Sequence, residues 1–208
     1  MALEATHVRF ALDLAKKYGV LDIQKYLAGT VYPDSRYATS LERKITHPDQ
    51  VLNSGFTQPD DFIKGWAVHL LCDKIQAEIT KEQLPELFEL EMGQGKPQWI
   101  HRTALKILQD IQDASHDIIG YLPLLDYAET PKGEDRDAVL RYNHDLQEIY
   151  KHPADMGIHS YTRMWRLFGL TEELEKKVVD QADKYRQDKK ATDFIDSVYG
   201  LMLARANE

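Results

Sequence analysis

His69 and Asp73 lie four residues apart in the stretch FIKGWAVHLLCD, residues 62–73. At helical spacing Phe62, Trp66, His69, Leu70 and Asp73 share one stripe, which begins apolar and ends in an imidazole and a carboxylate. Side chains four apart project from one face a turn apart, so this helix can offer two ligands to one metal ion. A buried His–Asp hydrogen bond needs the same spacing, and a carboxylate is rarely buried without a partner. Ligands elsewhere in the chain decide between the two readings.

Several other residues carry that chemistry. His7 falls inside the apolar stripe of the first helix, where a core histidine or a ligand would equally sit. Asp34 follows Pro33, whose ring fixes the backbone and holds the next carboxylate in place; an ordinary turn aspartate reads the same way. His47 precedes Pro48, which ends any helix before it. His144 and Glu148 form a second pair four apart, to one side of an apolar helix face, and fit either a metal or a solvated flank. Imidazole and carboxylate are what zinc takes when thiolates are lacking, and hydrolytic zinc sites keep a position for water. The lone cysteine, Cys72, has no adjacent basic residue and reads as core, not as a nucleophile.

In this order the residues resemble the zinc-dependent phospholipase C family, whose all-α fold is shared with the S1/P1-type nucleases. The resemblance rests on His7 in the first helix, GTVYPD ending in Asp34, His47, then GWAVHLLCD with His69 and Asp73, and finally the His144/Glu148 pair. It covers mainly residues 7–75. It implies that Asp34, His47, His69 and Asp73 complete one metal centre, that Asp73 bridges to an ion near His7, and that His144 and Glu148 bind a third ion. The chain departs from the family pattern at two places. Lys74-Ile75-Gln76 stands where the family has a further histidine, and the chain starts Met1-Ala2 where the secreted enzymes start with a ligating tryptophan. The expectation is a divalent metal, zinc foremost, in one to three ions.

The implied activity is metal-assisted hydrolysis of a phosphoester, with water acidified towards a pKa of about 7. Asp34 is the candidate catalytic residue, as a general base if it is not a ligand. The expected substrate is a small phosphoester or a phospholipid head group. A second scheme uses His116, His144-Asp145 and Asp180 in the H…HD…D order of HD-type metal phosphohydrolases, which are also all-α. A third is a non-catalytic helical interaction protein, in which His69 and Asp73 are only a buried polar pair and eleven tyrosines supply contact surface.

The elements that must position these groups read as helices throughout. Helices are expected over 3–18, from about 21 to a stop at Gly29, and as one or two turns over 40–46 ending at His47-Pro48. Residues 49–57 read as loop. Further helices are expected over 59–79, 81–92, 97–114, 117–128 with an interruption near Pro123, and 134–151, then in a short piece inside 152–170. Two final helices are expected, from Thr171 to about 190 and, capped by Thr192-Asp193, to about 205. The Gly/Pro segment 92–97 reads as a hinge or turn and lacks the phosphate-cradling glycine pattern. No run alternates as a strand would, and nothing repeats.

At 208 residues one all-helical domain spanning 1–208 is the expectation. The net charge of −8 argues against an extended nucleic-acid surface. No apolar run reaches the roughly 18 residues of a membrane span. The amino-terminal stretch lacks the plan of a signal peptide, and one cysteine suits a reducing compartment, so the cytoplasm is expected.

Overall fold

The computed structural model describes residues 2–116, 118–167 and 169–208. Among them there is no strand, and the helices pack as one multi-helix body. In chain order they are α1 (Glu4–Ala15), α2 (Ile23–Val31), α3 (Arg36–Thr39), α4 (Arg43–Thr46), α5 (Asp49–Ser54) and α6 (Asp61–Gln83). Then follow α7 (Pro97–Ala114), α8 (Arg136–Tyr150), α9 (Ile158–Leu167), α10 (Glu172–Tyr185) and α11 (Lys189–Ala206). None is long and apolar enough to cross a membrane.

Helix α6 is the axis of the molecule. The Asp60 side chain caps it by accepting from the Phe62 amide at 3.0 Å. It is buried on several sides at once, through Phe62, Trp66, Val68, Cys72, Ile75 and Ile79. That fits its place among α2, α11, α5 and α1. Cys72 is core, and burial pushes its thiol well above the usual range. Behind the first helix, α7 packs on α1, α10 and α11.

The α1–α7 contact is fixed by buried polar groups. Asp110 accepts from the Thr6 amide at 2.7 Å and from the hydroxyls of Tyr150 and Tyr161 at 2.7 and 2.8 Å. The Thr6 hydroxyl donates to Asp113 at 2.7 Å, and Arg9 pairs with the same carboxylate. These bonds set the rotation of α1, and therefore where His7 points.

The structure differs from the sequence reading in several places. Gly29 does not stop α2, which runs on to Val31. Its missing side chain lets α6 in: a Cβ at Gly29 would lie 1.9 Å from the Phe62 carbonyl oxygen. Residues 49–57 are not loop; α5 forms directly after Pro48, with Asp49 in its first turn. No separate α-helix spans 81–92, because α6 continues to Gln83 and Pro85 opens a 3-10 stretch, Pro85–Glu89. Around Pro123 the helix is also 3-10, Ile119–Leu125. The last helix starts earlier than Thr192, since Asp188 is its cap and accepts from the Ala191 amide. The 92–97 segment is a turn as read, with Gly93 and Gly95 at positive φ.

Candidate metal centre

Four elements meet at one buried point. Helix α1 supplies His7, the 3-10 turn Tyr32–Ser35 supplies Asp34, the end of α4 supplies His47, and α6 supplies His69 and Asp73. His7, Asp34, His69 and Asp73 are all buried. The five residues form two overlapping sets, His7–Asp34–His69 and His47–His69–Asp73, with one ligand atom of each member within 4.8 Å of the others.

The three imidazoles converge on Asp73. His7 Nε2 lies 3.5 Å from Asp73 Oδ1, while His47 Nε2 and His69 Nε2 lie 3.5 and 3.9 Å from Oδ2. Ligand atoms about 2 Å from a tetrahedral ion stand roughly 3.3 Å apart, whereas good hydrogen bonds are closer to 2.9 Å. Two of the rings stack, His7 on His69, with centroids 3.8 Å apart and planes 14° from parallel.

The nitrogens facing inward are set by what holds the outward ones. His69 Nδ1 is 2.8 Å from the Thr30 carbonyl oxygen. Thr30 is in the last turn of α2, where a carbonyl has no partner of its own along the helix. That bond puts the proton on Nδ1 and leaves the Nε2 lone pair inward, the arrangement typical of metal-bound histidine. His47 Nδ1 is 2.9 Å from Thr46 Oγ1, whose own proton goes toward the Arg43 carbonyl. The Thr46 carbonyl in turn accepts from Trp66 Nε1 at 2.7 Å, so α6 carries the strut that holds His47.

Electrostatics keep the imidazoles neutral. Burial, then the neighbouring His69, pulls His7 well below the usual histidine range; burial lowers His69 to about 4 and also lowers His47. Burial works against ionisation at Asp73, yet surrounding positive charge and His47 hold its carboxyl well below the ordinary value. Asp34 moves the other way, raised by burial and then by Asp73. Five buried atoms here have no hydrogen-bond partner: both nitrogens of His7, Nε2 of His47 and of His69, and Oδ1 of Asp34. Each such atom ordinarily costs about 1–3 kcal/mol. A divalent cation would answer one nitrogen of each histidine and the Asp34 oxygen together, though not the second, N–H nitrogen of His7, so the lone pairs fit one.

The remaining expected ligands are elsewhere. His144 and Glu148 face solvent on α8, His144 beside Asp126 at 3.6 Å and Glu148 beside Lys151 at 3.4 Å. The same helix turns Tyr142 inward instead, and its hydroxyl donates to Glu4 at 2.5 Å. The HD-type set is not assembled. His116, His144 and Asp180 are exposed, and Asp180 pairs with Lys176.

The floor opens into a cleft of about 800 Å³ bordered by Asp34, His47 and Asp73. Its walls include residues the sequence reading passed over: Glu4, Arg43, Arg102 and Lys106. Glu4 is buried, and desolvation, then Asp34, lifts it to about 8. Trp99, Arg102 and Lys106 share one stripe of α7, and a basic pair four apart on a largely buried helix was the available signal.

No known family model matches the chain, and no characterised protein or solved structure does.

Proposed function

We propose that the protein is a metal-dependent phosphoester hydrolase. The observation that carries this reading is the ring of three inward-facing imidazole nitrogens around Asp73, 3.5 to 3.9 Å from its oxygens, at the foot of an open cleft. His47, His69 and Asp73 would hold a divalent ion, zinc by ligand type, with His7 3.5 Å from the other Asp73 oxygen. When bound, the ion supplies Lewis acidity toward a phosphoryl oxygen and lowers the pKa of water. The missing convergence of His144 and Glu148 favours a smaller cluster than three ions.

The chain's own groups divide the proton work. Asp34 Oδ1 is buried without a hydrogen-bond partner, 4.0 Å from Arg36 Nε, and burial, then Asp73, raises its pKa, which suits a proton acceptor. It takes the proton of the attacking water. Glu4, lifted to about 8, keeps a proton that Oε2 can give to the departing alkoxide. Arg43 stands 3.5 Å from Asp73 Oδ2 and orients that carboxylate from the cleft side.

The test pairs metal analysis with turnover of bis(p-nitrophenyl) phosphate and p-nitrophenyl phosphate. Asp73→Asn should lose zinc and activity together. Asp34→Asn should keep zinc and lose about 10²–10⁴ in rate. A chain that binds zinc stoichiometrically yet cleaves neither ester would sink the reading.

A further inference from the structure

Above the metal floor the cleft has two more chemistries, which rest on different residues. One is cationic. Arg43 reaches in from α4, and Arg102 and Lys106 from successive turns of α7. Arg102 lines the cleft with its guanidinium carbon 5.1 Å from the Phe88 ring centroid, and a guanidinium carries five N–H donors. Burial, then Arg102, lowers Lys106 to about 8, the behaviour of an ammonium held beside another cation. The other chemistry is apolar, and comprises Trp99, Met164, Trp165 and Leu170, with the two indoles 6.3 Å apart.

The lining selects the ligand. Arg43, Arg102 and Lys106 border the same cleft, Arg43 with Asp73 Oδ2 at 3.5 Å. A phosphodiester brings one negative charge and a monoester brings two. A cleft of about 800 Å³ has the size for a drug-sized molecule.

We propose, building on the hydrolase reading, that the cleft takes a phosphomonoester of an apolar alcohol, its dianionic phosphate gripped by Arg43, Arg102 and Lys106 and its body lying on Trp99, Met164 and Trp165. The cations replace the charge that additional metal ions would supply in a larger cluster. Planar guanidinium groups suit a terminal phosphate, whose three oxygens can accept paired bonds.

The probe is octylphosphonate, a dianion at mildly alkaline pH that hydrolysis cannot consume, titrated calorimetrically into the zinc-loaded chain. Its singly charged methyl ester and glycerol phosphate serve as comparisons. Octylphosphonate should bind at least tenfold tighter than either. Arg102→Gln and Lys106→Met should each erase most of the advantage over the ester. Arg43→Gln, at a half-exposed position, repeats the measurement if a change on α7 prevents folding. Equal affinity for octylphosphonate and its methyl ester, or no effect of any of the three substitutions, overturns the dianion grip; equal affinity for glycerol phosphate overturns the apolar body. Arg102-dependent binding by a chain that takes up no zinc would remove the hydrolase reading and leave the grip. Zinc-dependent cleavage of diesters without preference for the dianion would do the reverse.

Discussion

Gly29 of α2 and Gly65 of α6 meet where the two helices cross. A Cβ on Gly29 would stand 1.9 Å from the carbonyl oxygen of Phe62, and one on Gly65 would stand 1.9 Å from that of Tyr26. The obstacle is backbone in both cases, so the helices must separate to admit a methyl group. Their contact brings the Thr30 carbonyl to His69 and sets Asp34, just past the end of α2, beside the floor of the cleft. Gly29→Ala or Gly65→Ala should destabilise by at least about 2 kcal/mol, as overpacked cores do. Gly120→Ala, with nothing within 4 Å of the added carbon, should stay within about 0.5 kcal/mol of the parent. Urea melts of the three variants provide the check.

Metal content should separate the inward histidines from the outward one. Protein made without a histidine tag should carry zinc, and His69→Ala should lose it, since His69 belongs to both ligand sets. His144→Ala and Glu148→Ala should leave the zinc content unchanged, because both side chains point to solvent. Elemental analysis of the purified variants decides it. Retention of metal by His69→Ala would contradict the assigned centre.

Trp66 supports the site without touching it. Trp66→Phe keeps an aromatic ring, smaller than the indole, and removes the 2.7 Å bond to the carbonyl of Thr46, the residue that holds His47. Leaving that buried carbonyl unpaired should cost about 1–3 kcal/mol. Loss of an outer partner of this kind typically weakens metal binding 10- to 100-fold. Competition with a zinc chelator, beside a thermal melt, separates the two effects.

In the metal-free chain the buried imidazoles should lose their stabilising contribution in acid. His69 has a folded value of about 4 against 6.5 unfolded, so between those values the unfolded chain binds the proton and the folded one does not. Stability is therefore intact above pH 6.5 and falls as the pH drops toward 4, by roughly 3 kcal/mol for this residue at the quoted shift. His7 shifts in the same direction and adds to the loss. Urea midpoints taken from pH 7.5 to 4 on the parent and on His69→Gln isolate this contribution, because Glu4, raised to about 8, acts in the opposite direction in both chains. The variant should lose less stability, or gain more, than the parent as the pH falls from 6.5 to 4; the same pH dependence in both would contradict a neutral, buried His69.

Much of the centre was legible from spacing because helices convert sequence distance into direction. The four-residue step from His69 to Asp73, and proline beside Asp34 and His47, each fix a side chain locally. His144 and Glu148 have the same step but sit on the other side of α8, and rotation about a helix axis is set by packing, not by spacing. Tyr142, two residues earlier, shows which face won. Gly29 was misread for a related reason: a glycine that ends a helix and one that admits a neighbour look alike until the neighbour is known. Arg102 and Lys106 were hidden because a cation on a buried helix face has meaning only once a cleft is seen beside it.

The convergence of His7, His47, His69 and Asp73 also has a topological meaning. An ion held by His7 and His69 would close a chain loop of 62 residues, counted as 69 − 7. In the chain-entropy account, a covalent link across such a loop is worth on the order of 4 kcal/mol. A coordinated ion is a reversible version of that link. It would staple the amino-terminal third of the molecule, from α1 through α6, while α9 and α10 carry no ligand and lie outside the loop. With an ion bound there, cation binding and the folding of that third of the chain would be one equilibrium.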